Sequence, residues 1–154
     1  MTPDSERNGV LQNELMFRAT PGVGLSVKDT WQGNILPPTA QDTCISMETT
    51  SCSSHYRNPR VDLWESLSIF QVTIELYKHG SKVAFITFDG KNSNINDWFS
   101  SSRILNSSWS DVTPSTIYNY FSIEGYQARE RKIPSDAADD LGTAEVMAVF
   151  VNYN

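Results

Sequence analysis

Apolar and polar residues alternate most cleanly over residues 69–77. Phe70, Val72, Ile74 and Leu76 share one side, and Gln71, Thr73, Glu75 and Tyr77 share the other. A period of two is that of a half-buried strand. Lys78-His79-Gly80-Ser81-Lys82 interrupts the run with turn formers, and Val83-Ala84-Phe85-Ile86-Thr87-Phe88 resumes it. The pair predicts an antiparallel hairpin whose inner face carries Phe70, Val72, Ile74 and Leu76.

The same reading places a first strand at residues 14–20, with Leu15, Phe17 and Ala19 inward, then a turn at Pro21-Gly22-Val23-Gly24. Leu25-Ser26-Val27 is expected to be a short strand leading to Trp31. Residues 32–60 lack periodicity, and Pro37-Pro38 forbids regular pairing there. Long connections of this kind are often functional or pinned by a disulfide. Val61-Asp62-Leu63-Trp64 carries two or three core candidates. Asn96-Asp97-Trp98-Phe99-Ser100 predicts one helical turn, and residues 101–105 a brief pairing.

Residues 116–126 alternate again, with Phe121 and Ile123 taken as the inward pair. A one-residue slip of register would invert that assignment. Residues 135–142 carry an N-cap candidate, Ser135, and a terminal Gly142, which predicts a short helix. Residues 144–151 are nearly all apolar and predict a central strand covered on both faces. Short strands between turn-rich loops define an all-β chain, an antiparallel β-sandwich or jelly roll with one or two short helical turns. Residues 1–13 are expected to form a flexible leader and residues 14–154 a single domain.

Composition narrows the functional classes. Charged residues are 19% of the chain and the net charge is −6. The basic cluster Arg129-Glu130-Arg131-Lys132 is answered by Asp136, Asp139, Asp140 and Glu145. A duplex-binding surface draws most of its affinity from phosphate neutralisation, so nucleic acid and anionic membrane are poor partners for this chain. The N-terminus is polar throughout Met1-Thr2-Pro3-Asp4-Ser5-Glu6-Arg7-Asn8 and is no signal peptide. An abundance of Ser, Thr and Asn favours an exported protein that starts after a removed leader.

Cys44 and Cys52 are the two cysteines of the chain and share one Ser/Thr-rich loop. Their placement predicts a disulfide worth about 2–3 kcal/mol in the chain-entropy model, rather than two free thiols. With His55 nearby the spacing still matches no zinc pattern.

Leu15-Met16-Phe17-Arg18-Ala19 with Gly22 and Gly24, Trp31, Tyr56-Arg57-Asn58 and Val61-Asp62-Leu63-Trp64 are followed by Phe88-Asp89-Gly90 and Trp98-Phe99-Ser100. Ser107-Ser108-Trp109-Ser110-Asp111 and Phe121-Ser122-Ile123-Glu124-Gly125 complete the set. Together they resemble secreted modules of invertebrate extracellular proteins, over most of residues 15–126. The resemblance implies an extracellular setting and a binding or matrix role, and it carries over no catalytic residue.

The loop Asp89-Gly90-Lys91-Asn92-Ser93-Asn94-Ile95-Asn96-Asp97 is the most tempting site. Asp89, Asn92, Asn94 and Asp97 are candidate ligand-binding residues, with Trp98 and Trp109 at the border as candidate stacking surfaces for sugar rings. Asp89, Asn94 and Asp97 are candidate calcium ligands, since calcium takes six to eight oxygens in a flexible shell. The order departs from the EF-hand, and Asx-rich loops are also ordinary turn chemistry. Tryptophans, likewise, mostly fill cores.

Neither a Gly-x-Ser-x-Gly elbow nor a phosphate-binding glycine loop is present, and no catalytic residue is assigned. Asn106-Ser107-Ser108 fits the N-glycosylation acceptor pattern. The functional expectation is a non-enzymatic extracellular module that binds glycan or matrix polymer. The alternative is a structural or self-associating module, a homo-oligomer included, with its tryptophans buried, and a hydrolase is the third and least supported reading.

Overall fold

A computed structural model of the chain describes residues 13–20, 23–35, 42–47, 52, 54–110, 112–114 and 146–153. Expectations for residues 1–12, Pro37-Pro38, residues 116–126, the charged cluster at 129–132 and the helix at 135–142 lie outside them.

Among the described residues the strands are β1 (Glu14–Ala19), β2 (Tyr56–Arg57), β3 (Ile69–Lys78), β4 (Ser81–Asp89), β5 (Ile104–Ser107) and β6 (Val146–Tyr153). They form one six-stranded sheet in the order β2-β1-β6-β3-β4-β5, and every neighbouring pair is antiparallel. The all-β class expected from the periodicity therefore holds.

The hairpin forms where the alternation placed it. Lys78 pairs with Ser81, and the two residues between them, His79 and Gly80, have φ of 54° and 78°. Two consecutive positive φ values make a type I′ turn, whose twist matches that of the flanking strands. Val72 faces Phe88 on β4 and Val151 on β6, and Ile74 faces Ile86 and Val149. These residues are buried. The inner face begins differently from the expectation. Ile69 is buried while Phe70 and Leu76 are only half-buried. A register shift between Ile69 and Gln71 breaks the period of two at the start of the strand, and a second, between Leu76 and Tyr77, lies at Leu76.

On β1 a similar shift lies between Leu15 and Phe17. Phe17 and Ala19 are buried as expected, Leu15 is half-buried, and Met16 and Arg18 are buried as well. The last strand is central, between β1 and β3.

Two expectations are corrected. Leu25-Ser26-Val27 is no strand. Ser26 caps a helix, α1 (Val27–Gln32), its hydroxyl accepting from Asp29 N at 3.1 Å, and Gly33 ends it with φ 86°. A serine three residues before an aspartate, with a glycine after the run, is a helix start-and-stop signal that outweighs three apolar-rich residues. Residues 95–99 form hydrogen-bonded turns instead of a helical turn, Asp97 N donating to Asn94 O and Ser100 N to Asp97 O. Of the core candidates at 61–64, Leu63 is 53% exposed while Val61 and Trp64 are buried. They lie on a 3₁₀ segment, Pro59–Ser66, capped by Asn58. A second helical turn, α2 (Asp42–Ile45), lies within the long connection.

Trp31 from α1, Val61 and Trp64 from the 3₁₀ segment, and Trp98, Trp109 and Val112 from the loops join the inner sheet face in one apolar cluster. Gly90 lets the chain leave β4 against that face. A Cβ there would lie 2.8 Å from Ile69 Cγ2 and 3.2 Å from Gln71 N.

Candidate functional site

The Asx-rich loop after β4 is built from turn chemistry. Asp89 Oδ1 accepts from Lys91 N (3.0 Å), Asn94 Oδ1 from Asn96 N (2.8 Å) and Asp97 Oδ1 from Asn94 N (2.7 Å). Asn92 takes φ 58°, a conformation that asparagine tolerates better than most residues. Three of the four polar side chains proposed as ligand groups thus bind their own loop. The structure brings Asp89, Asn92, Asn94 and Asp97 together on one short segment, each engaged in its shape.

Arg103 closes the loop from outside. Its Nη1 donates to Asp89 O (3.1 Å) and Lys91 O (2.8 Å), and its Nη2 donates to Asn92 O (3.4 Å). Asp97 Oδ2 is 3.9 Å from Nη2. The planar fork of a guanidinium suits several carbonyls at once. Its positive charge faces these backbone carbonyls and, among the candidate calcium ligands, comes near Asp97. No group of three or more His, Cys, Asp or Glu side chains suited to a metal occurs among the described residues. This was the arginine that reading by sequence proximity passed over, because it lies beyond the loop it holds.

The bordering aromatic rings point inward. Trp98 is 2% exposed and Trp109 7%. Trp98 stacks on Trp64 (centroids 6.0 Å) and meets Phe88 and Phe99 edge-on at 5.4 and 5.1 Å. Trp31 meets Phe17, Trp64 and Trp98 edge-on. Two indoles find acceptors in the candidate loop itself, Trp31 Nε1 on Ile95 O (2.8 Å) and Trp64 Nε1 on Ser93 Oγ (2.9 Å). The loop is thereby a lid on the aromatic core, bonded to it from beneath. Edge-to-face pairs of this kind add to the stabilisation from burial itself.

A second polar assembly gathers around the cysteine loop. Cys44 and Cys52 are joined in a disulfide, both buried. Arg18, fully buried on β1, donates through Nε to Ser46 O (2.7 Å) and through Nη1 to Thr20 Oγ1 (2.6 Å). Burial pulls its pKa below the ordinary arginine value. His55, 2% exposed, accepts from Thr20 N at Nδ1 (3.0 Å). Its Nε2 must then carry the proton it gives Leu25 O at 2.9 Å. The imidazole is thus held as a connector and its nitrogens are occupied, which makes it a poor general base.

A third cluster joins the ends of β1 and β6. Tyr153 Oη donates to Glu14 Oε1 (2.6 Å) and accepts from Arg60 Nη2 (2.6 Å). Arg60 Nε lies 3.2 Å from the same carboxylate, close enough for an ion pair but not aligned as a hydrogen bond. Desolvation, then the bond to Glu14, raises the Tyr153 pKa, so the phenol stays a donor. Arg57 makes a comparable tie, bonding Trp31 O (3.0 Å) and Asp62 Oδ1 (2.8 Å). The Asp62 pKa is lowered, chiefly by that hydrogen bond. These groups lie far apart in the sequence, and no periodicity or local motif links them.

Asn106 lies on β5, exposed, opposite Thr87. Compared with protein-family models, with curated proteins and with solved structures, the chain matches none of them.

Proposed function

We propose that the chain is a non-enzymatic extracellular module of a structural or interaction kind, whose partner is a protein or a second copy of itself, rather than a reader of glycan or matrix polymer. The observation that carries this reading is the inward disposition of all four tryptophans, Trp31, Trp64, Trp98 and Trp109. A sugar platform needs an exposed ring face with polar groups beside it. Here the rings pack on one another and the neighbouring polar groups bind the loop. The Cys44–Cys52 bond supports an exported setting, since such bonds persist in oxidising compartments.

The reading includes a second layer, as in a sandwich or jelly roll. Alternation puts Arg18, Val146 and Ala148 on the sheet face opposite Phe17, Val149 and Val151, yet all three are buried. Burial on both faces is what a sheet inside a layered fold requires.

The test is a glycan array, with and without calcium, probed with the full chain and with Asp89→Ala. The expected outcome is no saturable binding in either condition. Saturable binding that a folded Asp89→Ala protein loses would overturn the reading and make residues 89–97 a sugar site.

A further inference from the structure

We propose that Asn106 is an N-glycosylation site and that its glycan covers the open edge of the sheet. The proposal rests on the extracellular reading above and goes beyond it. Asn106-Ser107-Ser108 has the acceptor pattern, and the fold places it where an acceptor must lie. Asn106 is exposed on β5, one of the two edge strands of the sheet, and Ser108, also exposed, lies just past its end. The Asn106 amide accepts at Oδ1 from Ser107 N (2.9 Å). Among the described residues its Nδ2, the nitrogen that would carry the sugar, donates to no partner.

Ser108 is tied to β4 only by folding. Ser108 Oγ accepts from Phe85 N, and Ser108 N donates to Phe85 O, both at 2.9 Å. These bonds reach 23 residues back in the chain, so they are absent while the sequon is unfolded. A glycan added early leaves them free to form, because they use Ser108 and not Asn106.

The reaction joins Asn106 Nδ2 to C1 of a sugar carried on a lipid diphosphate. The N–C1 bond forms, the C1–O bond to the diphosphate breaks, and the amide gives up one proton. The lipid diphosphate leaves with the electron pair of the broken bond.

The position also gives the glycan a physical consequence. An edge strand offers unpaired N–H and C=O groups to any other strand, and native proteins blunt such edges. Among the described residues β5 has β4 on one side and no strand on the other. It also carries Leu105, 60% exposed. A hydrated oligosaccharide on the adjacent residue would hold another strand away from this edge. The partner surface of the mature protein then lies elsewhere.

The test directs the full chain into the secretory pathway of a eukaryotic cell and maps the peptides of the product without reduction. The expected result is a Cys44–Cys52 linked peptide together with a glycopeptide at Asn106. Peptide-N-glycosidase should remove that glycan, and it should be lost completely in both Asn106→Gln and Ser108→Ala. A product with the disulfide formed and Asn106 unmodified would overturn the glycan while leaving the extracellular reading in place. A product with free Cys44 and Cys52 and an unmodified Asn106 would overturn both.

Discussion

The loop after β4 and the cysteine loop after α1 are both irregular, and each is held by an arginine bonded to its backbone. Arg103 grips Asp89 O, Lys91 O and Asn92 O, all within 14 residues of itself. Arg18 reaches Ser46 O, 28 residues away, and the loop it grips is also closed by Cys44–Cys52. The first loop makes its shape from its own Asx side chains and needs the arginine only as a closing tie. The second is tied by a covalent bond and by Arg18 buried in β1. A local loop therefore needs composition, while a distant one needs the compartment in which its disulfide can form.

The sheet that supports both is the place where a single change should act most strongly. Val72→Asp buries a carboxylate against Phe88 and Val151 without a partner, and we expect it to remove about 3 kcal/mol or more. Urea unfolding followed by circular dichroism should show both loops lost in one transition. A near-native midpoint would mean that residues 72 and 74 do not face the core.

Replacing Cys44 and Cys52 by serine separates the two loops. The chain-entropy model predicts a loss of about 2–3 kcal/mol. Hydrogen exchange should quicken around residues 44–55 while the amides of Gly90 and Ser93 keep their relative protection. Equal loosening of both loops would break the contrast drawn above.

Arg103→Met is the reciprocal change, with an expected loss of about 1–2 kcal/mol from the unpaired carbonyls. Exchange at Ser93 and Asp97 should quicken and leave the cysteine loop as it was. Arg103→Lys should recover little, because an ammonium cannot span three carbonyls as a fork does.

The smallest effect concerns pH. Asp62 is an exposed carboxylate whose pKa is lowered by Arg57. Its folded pKa lies below the unfolded one, so its contribution is present above the unfolded value and is lost as pH falls through the folded value. Stability of the wild type should therefore decline somewhat more than that of Asp62→Asn below about pH 4, where the unfolded carboxylate titrates. A midpoint titration from pH 6 to 2 would measure the difference, and parallel curves would remove this pair from the account.

Much of the sheet is legible in the residues themselves. The hairpin, its turn, the inward Val72 and Ile74 and the start of β1 follow from alternation and glycine placement, and the central β6 from its continuous apolar run, because strand patterning and turn preference are properties of neighbouring residues. The cysteine pair is legible for the same reason, through shared position in one hydroxyl-rich loop. The register shifts at Leu15 and Ile69 are not, since a bulge answers to the partner strand and leaves no local mark. The helix α1 did leave a mark, in Ser26, Asp29 and Gly33, and was hidden by reading three apolar-rich residues as a strand.

The candidate site divides along the same line. Asp89, Asn92, Asn94 and Asp97 are visible in the sequence as a polar cluster, and that proximity holds in space. The Asp89, Asn94 and Asp97 oxygens face backbone N–H groups of their own loop, and Arg103 closes that loop over its carbonyls. Whether Trp98 is a platform or a core ring depends on Trp64, Phe88 and Phe99. By itself, then, the sequence determined the β3–β4 hairpin with its turn, the strands β1 and β6, and the covalent link. Only the tertiary structure decided which way the tryptophans and the buried arginines point, because their orientation is set by contacts between residues that are distant along the chain.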